Sequence, residues 1–170
     1  GRFVGSVDVD VELTVATTCI ELNARDLVIR HATLDRSIDL RAELDEDTER
    51  LRLHASSELA PGRHCLQIAY DGAVSDSLHG FYRVQYDGVD GPELMGVTQF
   101  EAPYARQAFP CWDEPDRKAT FEISIVCPAG LTAISNGAET GRTALGGGRV
   151  RFDFSTTIAM STYLVAWVVG

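Results

Sequence analysis

The chain has 170 residues, 45% of them apolar and 24% charged, which fits one globular domain or one large domain of a longer protein. Its net charge of −10 leaves no basic patch to neutralise phosphates, which excludes nucleic acid as a partner. No signal peptide is evident, and the longest apolar run, Tyr163 to Val169, is too short to cross a bilayer, so a cytoplasmic protein with no membrane partner is expected.

The first element is a strand in which Val7, Val9, Val11, Leu13 and Val15 alternate with Asp8, Asp10, Glu12 and Thr14, one face apolar and one wet. Strands over Cys19–Leu22 and Leu27–Ile29 follow, separated by the turn composition Asn23-Ala24-Arg25-Asp26. Ser37–Leu44 and Leu51–His54 form a hairpin across the acidic loop Asp45-Glu46-Asp47, with about four to six residues in the loop. Pro61-Gly62 turns the chain into the alternating strand Cys65–Tyr70, and Asp71-Gly72 closes it.

A further strand covers Phe81–Tyr86, and Asp87-Gly88 with Asp90-Gly91-Pro92 reads as a loop beyond it. Thr98 to Pro115 then interrupts the β pattern with Pro, aromatic, Cys and carboxylate residues. The pattern resumes from Ala119 to Val126, where Phe121, Ile123 and Ile125 alternate with polar residues. Leu131–Ile134 is a short strand that ends at the turn Ser135-Asn136-Gly137, and the Gly-rich segment Thr140–Gly148 reads as a mobile hairpin tip. Val150–Phe154 alternates, and Ser161–Val169 reads as a last strand buried on both faces. About ten short strands and no helix of ordinary length predict an all-β domain, a sandwich or saddle-like set of mostly antiparallel sheets. The apolar end at Trp167-Val168-Val169 leads to the expectation that the polypeptide continues.

The four cysteines, Cys19, Cys65, Cys111 and Cys127, stand far apart with no C-x-x-C. That is neither zinc spacing nor a disulfide scaffold, and they are expected as small hydrophobes in a reducing compartment. His31, His54, His64 and His79 sit singly in or beside strands and read as surface or hydrogen-bonded residues; His54 and His64 approach across a hairpin without a third ligand. No metal-binding, nucleophile-elbow or phosphate-loop motif is present. The adjacent Asp113 and Glu114 point to opposite sides of an extended chain, which favours a turn over an acid–base pair. Gln99 and Glu101 are two apart, so in an extended chain an amide and a carboxylate stand side by side, and Ala102 before Pro103 favours that extension. Such a carboxylate suits either a structural salt bridge or a substrate's α-ammonium.

The run Thr98-Gln99-Phe100-Glu101-Ala102-Pro103-Tyr104-Ala105-Arg106-Gln107-Ala108-Phe109-Pro110-Cys111-Trp112-Asp113-Glu114-Pro115, followed by Lys118-Ala119-Thr120-Phe121, closely resembles the N-terminal domain of aminopeptidase N-like zinc aminopeptidases. Gly80-Phe81-Tyr82-Arg83, Ala133-Ile134-Ser135-Asn136-Gly137 and Met160-Ser161-Thr162-Tyr163-Leu164-Val165-Ala166 match the same family, so the resemblance covers nearly the whole chain. It is strongest to the bacterial, puromycin-sensitive-type branch. Val84 stands where that family usually has Ser.

The resemblance implies a single saddle-like N-terminal domain, residues 1–170, joined to a catalytic domain of the same polypeptide. It implies that Gln99 lines the pocket for the first side chain and that Glu101 binds the amino group of a peptide substrate's N-terminus. Arg106, Trp112 and the turn Asp113-Glu114-Pro115 are implied to brace that loop. The family's Gly-Ala-Met-Glu-Asn and His-Glu-x-x-His motifs are absent from the chain, so catalytic residues and the ligands of the zinc cofactor are expected outside it. The 170 residues alone are then inactive, and a truncated apolar face makes self-association an expectation. The alternative is a non-catalytic β-sandwich interaction module that presents the same loop to a protein partner.

Overall fold

A computed structural model describes residues 1–89 and 91–170; Asp90, expected in a turn with Gly91 and Pro92, lies outside the described residues. The chain forms two compact units, residues 1–73 with 106–112, and residues 74–105 with 113–170. Both are built from β-strands, as the alternating pattern predicts, and the helical segments among the described residues are the 3-10 turns Ala105–Gln107 and Thr162–Leu164.

The first unit contains β1 (Arg2–Leu13), β2 (Thr17–Asn23), β3 (Leu27–Leu34), β4 (Ile38–Asp39), β5 (Arg41–Asp45), β6 (Arg50–Leu59) and β7 (Gly62–Ala73). One antiparallel sheet has the order β1-β7-β3-β4 and the other β2-β6-β5. The period-2 pattern decides which face is inside: on β7, Leu66, Ile68 and Tyr70 are buried, while Gln67 and Ala69 between them are only half-buried. Leu22, Leu51 and Leu53 supply the buried face of the second sheet. Each such side chain contributes roughly 1.5–3 kcal/mol by leaving water. The β5–β6 hairpin runs in register from Arg41↔His54 to Asp45↔Arg50, so its loop is the acidic segment expected.

The second unit contains β8 (Gly80–Gly88), β9 (Gly91–Gln99), β10 (Lys118–Ala119), β11 (Ser124–Pro128), β12 (Ala133–Ser135), β13 (Glu139–Leu145), β14 (Arg149–Phe154), β15 (Met160–Ser161) and β16 (Trp167–Val169). Its sheets have the orders β12-β16-β9-β8, β11-β14-β13 and β10-β15. Cys127, Ala133, Val150, Phe152 and Phe154 form its core, with Ile123, Ile125 and Val169 packed against it.

Four expectations change in this unit. The residues after Gly91 are a strand and not a loop, because β9 pairs with β8 along its length, and Pro92 falls near the strand start, where its missing N–H does least harm. Ala119–Val126 is not one strand: Ala119 ends β10, paired with Met160, Phe121 then exchanges bonds with Thr157, its N–H to the hydroxyl and its carbonyl accepting from the Thr157 N–H, and ladder pairing resumes at Ser124. Ser161–Val169 is broken and only half-buried at its end. Asn136 explains the break: its amide donates to the Leu164 carbonyl at 2.8 Å and accepts from the Ala166 N–H at 2.7 Å, replacing ladder partners by a side chain. The Gly-rich segment Thr140–Gly148 is for the most part strand β13, and the turn shrinks to Gly146–Gly148.

Candidate functional site

Gln99 is the last residue of β9, paired with Gly80 at the start of β8. Phe100 follows with 1% of its surface exposed, while Gln99 and Glu101 on either side of it are exposed. The ring of Phe100 meets that of Trp167 edge-on at 5.3 Å, and Trp167 also packs on Phe81 at 5.6 Å. Thr98 ties the same strand down, its hydroxyl accepting from the Trp167 N–H at 2.9 Å. One buried aromatic therefore aims two polar side chains outward, as the i, i+2 relation predicts.

The extension ends at Glu101. Its N–H donates to Oε1 of Gln99 at 3.0 Å, and the Tyr104 N–H donates to the Phe100 carbonyl at 3.0 Å, closing a turn over Glu101–Tyr104. The Glu101–Ala102 peptide is cis. The restriction that Pro103 places on Ala102 thus operates inside a turn and not in a long extended arm. Among the described residues no cation pairs with the Glu101 carboxylate. Beside the turn, the ring of His79 stacks on Tyr104 at 4.1 Å with 23° between planes. The sequence reads His79 as a lone surface or hydrogen-bonded histidine and Tyr104 as part of the motif, and no spacing rule connects the two rings.

The C-terminal half of the motif is anchored in the first unit. Cys111 and Asn23 exchange backbone hydrogen bonds of 2.8 and 3.0 Å, and the Trp112 indole N–H donates to the Glu21 carbonyl at 2.9 Å. Arg106 meets Glu49 at 2.9 Å, and Glu49 also takes Arg25 at 2.9 Å. Asp113 is buried in the second unit, where Glu114–Asp116 turns the chain as expected. Two of the other stretches of resemblance meet as well: Ser135 and Asn136 bond to the backbone of Leu164 and Ala166. The family pattern is therefore largely a pattern of backbone anchoring.

The profile of the peptidase M1 N-terminal domain matches residues 1–164. The chain belongs to that family. This peptidase M1 N-terminal domain is 35% identical to aminopeptidase N of Acetobacter pasteurianus over 170 residues, covering 99% of the chain and 48% of the relative. It is 38% identical to aminopeptidase M1-C of Oryza sativa subsp. japonica and 36% to the puromycin-sensitive aminopeptidase of Caenorhabditis elegans, covering 19% and 18% of those relatives. The chain thus spans half or less of the length of the relatives it matches.

The other histidines of the M1 domain each lie beside an acidic residue. His64 bonds Asp35 through Nδ1 at 2.7 Å and the Ala60 carbonyl through Nε2 at 2.9 Å. His54 lies 3.5 Å from Glu43 and His31 3.8 Å from Asp39. β6 and β7 belong to different sheets, so the hairpin expected to bring His54 and His64 together does not form a ladder. Among the described residues no group of three or more His, Cys, Asp or Glu is placed to hold a metal, so the residues present do not fit a zinc site. No disulfide joins the cysteines; Cys111 and Cys127 are buried and Cys19 and Cys65 half-buried. No helix among the described residues is long and apolar enough to cross a membrane.

Proposed function

We propose that this chain is the N-terminal domain of a zinc-dependent aminopeptidase, with Gln99 and Glu101 facing the N-terminus of a peptide substrate. The observation that carries the reading is the Glu101 carboxylate, exposed beside the Gln99 amide and without a cationic partner among the described residues, in a chain of the peptidase M1 N-terminal domain family. A carboxylate presented from a tight turn recognises an α-ammonium by a charge-assisted hydrogen bond. Fixing the chain end in this way sets the distance from the ammonium to the first peptide bond, which is how an enzyme that removes single N-terminal residues selects its bond. Gln99, with donor and acceptor on one amide, borders the space for the first side chain.

The catalytic residues and the zinc ligands belong, on this reading, to a catalytic domain elsewhere in a larger polypeptide, in line with the greater length of the aminopeptidase relatives. The absence of disulfides suits a reducing, cytoplasmic compartment.

Kinetics of the full-length polypeptide test the assignment. Glu101→Gln keeps shape and removes charge, and it should raise KM for an aminoacyl fluorogenic amide by the equivalent of about 2–5 kcal/mol, the range for a desolvated charge pair. Zinc content measured on the same preparation should equal that of the unsubstituted protein. A KM that stays put would remove the ammonium role.

A further inference from the structure

We infer that the stacked rings of His79 and Tyr104 are the brace that holds Glu101 in place, which makes His79 a positioning residue for the ammonium site; this deepens the function proposed above and rests on it. Glu101, Ala102 and Pro103 are all exposed, so the tip that carries the carboxylate has no core packing of its own. What holds it are two hydrogen bonds at its base, from the Glu101 N–H to Gln99 and from the Tyr104 N–H to Phe100, and the ring contact of Tyr104 with His79.

His79 is suited to brace because the segment that carries it is fastened to β8. The Ser75 N–H donates to the Phe81 carbonyl at 2.8 Å and the Arg83 N–H to the Ser75 carbonyl at 3.3 Å, so Ser75 and Tyr82 form a parallel bridge. Asp76 and Arg83 add an ion pair at 2.7 Å. Gly80 then turns the chain at φ +70, a conformation that few other residues accept, and it sits opposite Gln99 in the ladder. His79 is thus the residue next to the register partner of Gln99, and its ring reaches the far end of the same turn. His79 is exposed, so its ring contact serves the turn and not the core.

Aromatic pairs couple strongly enough to affect a loop of this size, and their loss changes an equilibrium roughly two- to tenfold. In the full-length polypeptide, His79→Ala should raise KM for an aminoacyl fluorogenic amide roughly two- to tenfold, with kcat and melting temperature unchanged, because only the positioning of the ground-state contact is loosened. His79→Phe keeps a stacking ring and should restore the KM of the unsubstituted enzyme. Tyr104→Ala added to His79→Ala should raise KM no further, the signature of one shared contact.

Glu101→Gln, measured alongside, separates the two levels of the argument. If Glu101→Gln raises KM and His79→Ala does not, the brace is wrong and the ammonium site stands. If His79→Phe is as impaired as His79→Ala, or if the melting temperature falls together with kcat, stacking on the turn is not what His79 supplies. If Glu101→Gln leaves KM unchanged, the site itself is misread and the brace falls with it.

Discussion

Between Gln99 and Glu101 stands a ring with almost no solvent contact: Phe100 is 1% exposed and meets Trp167 edge-on. Its removal would leave a cavity under the turn as well as loosen the two side chains it separates. Phe100→Ala should cost about 3–5 kcal/mol of stability, read as a lower urea midpoint. Gly137 illustrates a different constraint at the same scale. A Cβ there would lie 2.2 Å from the Ser155 carbonyl oxygen, so the motif's glycine is demanded by backbone proximity and not by turn geometry.

At the scale of elements, the turn from β3 to β4 is locked to the start of β7. Asp35 and Arg36 both adopt left-handed backbone, at φ 53 and 58, and the Asp35 carboxylate accepts from the Cys65 N–H at 2.8 Å and from His64. His64 has an acceptor at each ring nitrogen, so the arrangement is complete only when the ring carries both protons. Asp35 foremost, and the Ala60 carbonyl, hold the His64 pKa above its ordinary 6.5, while the cleft around it is also lined by Asp10, Glu12 and Arg63. Because the folded state binds this proton more tightly than the unfolded state, the stabilisation is fully present below pH 6.5 and is lost as pH rises through the elevated folded value. Asp35 has the opposite sign. The Cys65 N–H, then His64, lower its pKa, so its contribution is present above 3.8 and disappears as pH falls. Asp35→Asn should therefore flatten the decline of the urea midpoint with pH above 6.5, and an unchanged slope would show that His64 owes its proton to other groups.

For the whole molecule, strands paired across long stretches of sequence leave no helix to nucleate locally, and such topologies fold in milliseconds to seconds. The net charge of −10 keeps the chain soluble away from its isoelectric point near 4.7. The chain on its own is expected to release no fluorophore from an aminoacyl amide, with or without added zinc. Turnover by the 170 residues alone would contradict the division of labour proposed between this domain and a catalytic one.

Period-2 alternation was enough to read most strands of the first unit, because each strand buries one face and a polar residue on that face is costly. The same local relation predicts Gln99 and Glu101 on one side of the chain, and the structure leaves both exposed about the buried Phe100. Alternation failed for β9, where Leu94 is 59% exposed and Met95, Gly96 and Val97 are only half-buried, so no clean alternation marks the strand. It failed again after Ser161, where a side chain from a distant turn takes the backbone bonds that a ladder would have used. The identity and spacing of Gln99 and Glu101, the residues proposed for the site, are thus features of the sequence alone. Only the tertiary structure decided that no cation among the described residues meets the Glu101 carboxylate, and that His79 lies against its turn. Both depend on which distant groups are brought near, and chain separation carries no record of that.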